Sequence, residues 1–188
     1  MDGETEAVVN SVGEMTIPRM RNILMVGHTP LFTPLVVRLL ESGHQVFFVE
    51  RSSTRLRYRL DRAGAHADRL KCIALDYRDI PRLRRWVEHM QLLYGSLDAA
   101  IVRVPRDAVP VLLALDAEIR AYRASPWHAY HLTGPRDRPL PSGLLPREQY
   151  HVLSLVSPGW RRDARRQWTV QTAAAVFGAL ATHSLEAP

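Results

Sequence analysis

Residues 22–51 read NILMVGHTPLFTPLVVRLLESGHQVFFVER, and the succession of patterns in this stretch decides the fold. Ile23–Val26 is a short apolar run, as expected of a parallel strand covered on both faces. Gly27 opens a tight turn. Thr29 can cap a helix whose first turn holds Pro30, and Leu31, Leu35, Leu39 and Leu40 then fall on one face. Gly43 ends that helix, and His44–Val49 forms a second apolar strand that finishes on the charged pair Glu50-Arg51. Strand, helix and strand in this order make a βαβ unit with parallel strands.

The chain continues the same alternation. Ser52 or Ser53 can cap a helix that carries Arg55, Arg57, Arg59 and Arg62 and ends near Gly64. Leu70–Leu75 is the third strand. Asp79 caps a long helix, Ile80–Tyr94, with Leu83, Val87, Met90 and Leu93 as its apolar stripe, and Gly95 stops it. Leu97–Val104 gives a fourth strand, and a helix over Asp107–Arg123 turns Leu112, Leu115 and Ile119 inward. Trp127–Leu132 is read as a fifth strand, Pro135–Pro146 as an irregular loop or exposed hairpin, and Tyr150–Val156 as a sixth strand. A basic connector, Trp160–Gln167, leads to a final Ala-rich helix, Trp168–Thr182. Residues 1–21 lack periodicity and are expected to form a flexible tail, which leaves 22–188 as one domain. The expected architecture is α/β: a Rossmann-like, doubly wound, mostly parallel sheet with helices on both faces.

Composition narrows the function classes. At 188 residues and 46% hydrophobic content the chain can bury a core of its own. No run approaches the ~20 apolar residues that span a bilayer. The acidic N-terminus lacks the basic flank and apolar run of a secretory signal. Cys72 is the only cysteine, so no intrachain disulfide forms, and a cytoplasmic location is expected. The net charge is +6, with Lys71 as the only lysine. The arginines are spread over several elements, with clusters at Arg51–Arg62 and Arg161–Arg166, and no zinc-finger, helix-turn-helix or aromatic RNA-binding signature accompanies them. A coding bias towards arginine accounts for this better than a nucleic-acid partner does.

Three landmarks resemble the short-chain dehydrogenase/reductase superfamily. VGHTPLFTPLVVRLLESGHQVFFVER is similar to its opening G-x-T-G-x-x-G turn, helix and second strand. Leu75-Asp76-Tyr77-Arg78-Asp79 is similar to its L-D-x-x-D segment, whose aspartate contacts adenine. Tyr94-Gly95-Ser96-Leu97-Asp98 is similar to the G-x-I-D entry into its fourth strand. Further on, Tyr150–Val156 and Arg166-Gln167-Trp168-Thr169 look like the ending of a shortened bacterial group of such proteins. The resemblance implies an NAD(P) site made by Gly27, His28, Thr29, Glu50, Arg51, Asp76 and Tyr77, with the ligand in the cleft at the strand C-terminal ends. Glu50 would take ribose hydroxyls as in NAD users, or Arg51 a 2′-phosphate as in NADP users, and having both leaves the preference open. It also makes a homodimer through the late helices plausible.

The sequence departs from that pattern where chemistry is concerned. Only Gly27 of the three glycines is kept; Pro30 and Thr33 stand at the other two positions, and Pro34 follows. Proline adds a ring and removes an N–H donor, which spoils a phosphate cradle. The superfamily's fourth strand is followed by N-N-A-G, whereas here the chain runs Ile101-Val102-Arg103-Val104-Pro105. The catalytic Tyr-x-x-x-Lys is absent, and Tyr150-His151-Val152-Leu153-Ser154 has serine where lysine would stand. Without that lysine a tyrosine loses its main activator for proton transfer to a carbonyl. His28, His131 and Tyr150 are the substitute acid–base candidates. In an extended Trp127–His131, the side chains of Trp127, Ala129 and His131 share one face and those of His128 and Tyr130 the other, so His128 and His131 would not chelate one metal, and no metal site is expected. Two functions follow from different classes. One is a Rossmann module with weak or lost NAD(P) binding and no standard carbonyl reduction. The other is an active NAD(P)-dependent oxidoreductase with non-standard acid–base residues.

Overall fold

The computed structural model describes residues 21–104, 108–122, 127–134, 141, 143, 145–146 and 150–154. Strands β1 (Asn22–Gly27), β2 (Gln45–Glu50), β3 (Leu70–Ala74), β4 (Ala99–Arg103), β5 (His128–Thr133) and β6 (Tyr150–Ser154) form one six-stranded sheet in the order β3-β2-β1-β4-β5-β6. Every neighbouring pair is parallel. The order reverses between β1 and β4, the switch point at which ligands bind in open α/β sheets. Helices α1 (Phe32–Glu41), α2 (Ser53–Ala63), α3 (Ile80–Tyr94) and α4 (Ala108–Tyr122) connect the strands. The expected doubly wound sheet is what forms. The expected tail up to Met20, the connector Trp160–Gln167 and the final helix Trp168–Thr182 lie outside the described residues, as does most of the loop Pro135–Pro146.

Alternation along the strands builds two cores, one on each face of the sheet. Ile23 and Met25 of β1 pack with Val46, Phe48, Leu35 and Leu39 on the face that α1 and α2 cover. Leu24 and Val26 pack with Phe47, Val49, Leu83, Val87, Leu112 and Leu115 on the face of α3 and α4. Both faces of β1 are therefore dry, which explains its unbroken apolar run. Each such fully buried side chain contributes about 1.5–3 kcal/mol relative to exposure. Among the described residues no helix is long and apolar enough to cross a membrane.

The start of α1 differs from the expectation. The helix begins at Phe32, not at Pro30, and Leu31 at its N-cap offers no side-chain acceptor. Thr29 acts one step earlier: its hydroxyl accepts the Leu31 N–H at 3.3 Å and its carbonyl accepts the Phe32 N–H at 3.1 Å. This closes a separate turn, and Pro30 sits in that turn. Pro34 is the third residue of α1, where a missing N–H costs nothing because that donor has no intrahelical partner.

The caps of the next two helices are as expected. Ser52 Oγ accepts the Arg55 N–H at 3.4 Å, and Asp79 Oδ1 accepts the Arg82 N–H at 3.2 Å, with Pro81 in the first turn of α3. Asp79→Ala is expected to cost about 1 kcal/mol, seen as a fall in melting temperature of roughly 2–4 °C. Asp79→Ser should recover most of it. No change in melting temperature for Asp79→Ala would show that the cap does not hold the helix.

Candidate functional site

The β1–α1 turn starts from a backbone contact. Gly27 has φ +108°, and a Cβ built on it would lie 2.0 Å from the carbonyl oxygen of Arg103 at the end of β4. The His28 N–H donates to the same oxygen at 3.3 Å. Gly27 is therefore demanded by the close approach of β1 and β4, whether or not a phosphate ever meets the turn.

Beside it lies a buried ion cluster centred on Glu50. The last residue of β2 is fully buried. Its Oε2 is 3.0 Å from His28 Nδ1 and accepts from Arg59 Nη2 at 3.3 Å; its Oε1 accepts the Arg51 N–H at 3.1 Å and lies 3.8 Å from Arg55 Nη1. Arg59 is itself buried, with 4% of its side chain exposed. Its Nη1 donates to Thr33 Oγ1 at 2.8 Å, and its guanidinium lies 4.6 Å above the Phe48 ring. Burial holds the Arg59 pKa below the usual arginine value, opposed by the attraction of Glu50. Its Nε is buried without a partner. The arginine also stands against Thr33, the second residue of α1, near the positive end of that helix, which the Glu50 carboxylate offsets.

The residues named from sequence thus divide. Gly27, His28, Thr29 and Glu50 are brought together, but the Thr29 hydroxyl is spent on the turn and the Glu50 carboxylate on Arg59, His28 and the Arg51 amide of the chain itself. Arg51 and Asp76 remain on the surface and pair with each other, Nε to Oδ1 at 3.6 Å, while Asp76 Oδ1 also accepts the Arg78 N–H at 3.1 Å. Tyr77 is buried in the core on the α3–α4 face. His131 Nδ1 meets Tyr150 Oη at 3.0 Å, so these two form a pair of their own while His28 joins Glu50. Burial pushes the Tyr150 hydroxyl up to about 12, opposite to what an activated catalytic tyrosine needs. Lys71 lies on β3, where its ammonium donates to the Asp68 carbonyl and stands near the Tyr94 ring. The Cys72 thiol is pushed up by burial, which makes it an inert structural cysteine.

Sequence reasoning passed over Arg59. A signal was present: Leu56, Arg59 and Ala63 fall at i, i+3 and i+7, the spacing of the inner stripe of α2, and all three are buried. An arginine on an apolar stripe needs a buried acid, and Glu50 at the end of the preceding strand is that acid.

No family model matches the sequence, and comparison with curated proteins finds no match. Solved structures do match. A short-chain dehydrogenase/reductase from Serratia marcescens superposes with a TM-score of 0.52 at 14% identity, over 86% of this chain and 66% of that one. A betaketoacyl-ACP reductase from Bacteroides thetaiotaomicron gives 0.53 at 11% identity, over 62% of this chain and 61% of that one. A short-chain type dehydrogenase/reductase from Mycobacterium ulcerans gives 0.52 at 12% identity, over 61% and 52%. The chain spans about half to two thirds of the length of these proteins. At such identities the likeness speaks for architecture, and it agrees with the strand order: the chain has the fold of the short-chain dehydrogenase/reductases.

Proposed function

We propose that this chain is a Rossmann module in which the ribose-binding position has become a structural ion cluster, so that NAD(P) binds weakly or not at all and carbonyl reduction by a tyrosine–lysine pair does not occur. The observation that carries the reading is the complete burial of Glu50 and the saturation of its carboxylate by Arg59, His28 and the Arg51 amide. In this fold an acidic residue at the end of the second strand is the one that receives the ribose hydroxyls. A ribose reaching Glu50 would have to displace a buried guanidinium, and breaking a buried ion pair costs about 3–5 kcal/mol. That cost alone weakens binding by a factor on the order of a hundred or more.

The glycine replacements support the same reading. Thr33 stands where a glycine would pack closely, and its hydroxyl is one of the two anchors of Arg59. The replacement and the arginine thus belong to one arrangement. A second reading, an oxidoreductase with a displaced cofactor, rests on the exposed Arg51–Asp76 pair and the half-exposed His28 at the rim.

Titration of the purified chain with NADH and NADPH, followed by nicotinamide fluorescence and by melting temperature, separates the two. We expect no saturable signal and no thermal shift at cofactor concentrations on the order of a millimolar, at which a ligand with a hundredfold lower Kd would add about 2.7 kcal/mol of stability. Saturable binding in the micromolar range with a matching thermal shift would sink the proposal in favour of the oxidoreductase.

A further inference from the structure

We propose that His28 is a nucleophilic base at the switch point of the sheet, its reactive nitrogen set by Glu50, and that it accepts acyl groups from small activated esters. The protonation pattern follows from the partners of the carboxylate. Glu50 Oε2 accepts from Arg59 Nη2 at 3.3 Å and Oε1 accepts the Arg51 N–H at 3.1 Å, so donors meet both oxygens. A carboxylate offers only lone pairs. The 3.0 Å contact between His28 Nδ1 and Oε2 therefore puts the imidazole proton on Nδ1 and leaves the lone pair of the neutral ring on Nε2.

The rest of the geometry presents that lone pair. Glu50 is fully buried, whereas 40% of the His28 side chain is exposed. With Nδ1 turned inward to the carboxylate, the outer side of the ring carries Nε2. Among the described residues the ring makes no other hydrogen bond or ion pair. The main chain of His28 is fixed as well, by its N–H bond to the Arg103 carbonyl at 3.3 Å and by the close approach of Gly27 to that carbonyl. A base held by two central strands thus stands where ligands enter an open α/β sheet. Glu50 and Arg59 are positioning residues: they hold the tautomer and touch no substrate.

The step balances with water as co-reactant. Nε2 adds to the carbonyl carbon of the ester, and the C–O bond to the leaving alcohol breaks with its electron pair on oxygen. Through Nδ1–H the Glu50 carboxylate offsets the positive charge of the acyl-imidazolium. Water then adds to the acyl carbon and the C–N bond breaks. A carboxylic acid leaves, the neutral imidazole is restored, and the released proton goes to the alkoxide. No dinucleotide takes part, so this chemistry stands apart from the weak NAD(P) binding proposed above.

The first test uses the unaltered chain, so it does not depend on how a variant folds. Diethyl pyrocarbonate acylates imidazole, and peptide mass spectrometry locates the modified histidines. His28 is expected to react at least about tenfold faster than His89, an exposed histidine of α3, and to slow in acid, where the lone pair takes a proton. Hydrolysis of para-nitrophenyl acetate should fall at least about tenfold in His28→Gln and stay unchanged in His89→Gln. In a chain that carries both Glu50→Gln and Arg59→Met and is folded by circular dichroism, His28 should lose its advantage over His89. His28 labelled no faster than His89, hydrolysis indifferent to His28→Gln, or an undiminished His28 rate in the folded double variant would overturn the proposal.

Discussion

Arg59→Met is expected to lower the stability of the domain by about 3 kcal/mol or more, because it keeps the volume of the side chain but leaves a buried carboxylate without its buried cation. In a chain of this length such a loss appears as a fall in melting temperature of roughly 6–12 °C. The size follows from the surroundings of Glu50. The carboxylate is fully buried, and its other side-chain partners among the described residues are His28, whose side chain is 40% exposed, and Arg55, 3.8 Å away and 53% exposed. Neither can replace a guanidinium that is held in place by Thr33 Oγ1 on one side and by the Phe48 ring beneath it. The partner substitution gives the decisive measurement. Glu50→Gln alone leaves Arg59 as an uncompensated buried cation and should cost a comparable amount. Glu50→Gln with Arg59→Met removes both charges, and the double variant should be clearly more stable than the sum of the two losses predicts, with a coupling of about 2 kcal/mol or more. Additive losses, or an Arg59→Met loss under about 1 kcal/mol, would mean that the pair is incidental to the fold.

The same cluster marks where sequence reading stopped. Strand and helix positions were legible because periodicity and capping are local: Ile80–Tyr94 with its Asp79 cap is found with the expected bounds, and six parallel strands appear where six apolar or alternating runs stood. The start of α1 was misplaced because two local signals coincided. Thr29 followed by proline reads as a cap and first helical position, yet here the threonine closes a turn of its own and the helix waits for Phe32. The site was less legible, for a different reason. Glu50 and Arg51 were recognisable as the residues ending β2, but which of them faces inward depends on the partner supplied by α2. That partner, Arg59, is nine residues further on and could be inferred only from its place on the inner stripe of its helix. His131 with Tyr150 and His128 with His151 are contacts between β5 and β6, so they depend on a register that no local pattern specifies.

Gly27→Ala is expected to be the most damaging single substitution in the described chain, costing more than about 4 kcal/mol and preventing accumulation of folded protein at physiological temperature. Two costs add. A side chain at φ +108° is strained whatever surrounds it, by about 1–3 kcal/mol. The larger cost is steric. The new Cβ would stand 2.0 Å from the Arg103 carbonyl oxygen and 2.7 Å from its carbon, and both are backbone atoms of a central strand that cannot turn aside as a side chain can. Relief requires separating the ends of β1 and β4, which also breaks the bond from the His28 amide to that oxygen and moves His28 away from Glu50. Gly43→Ala isolates the steric part. Gly43 has a similar φ of +86°, but the nearest atom to a Cβ there is Arg69 Nη1 at 3.8 Å, so only the conformational cost applies. Circular dichroism and thermal melting of the two variants side by side decide the matter. A cold-labile or insoluble Gly27→Ala beside a folded Gly43→Ala with a loss of about 1–3 kcal/mol is the expected result. Equal losses would mean that β1 and β4 do not approach as closely as described, and the turn would then owe its glycine to something other than the packing of the sheet.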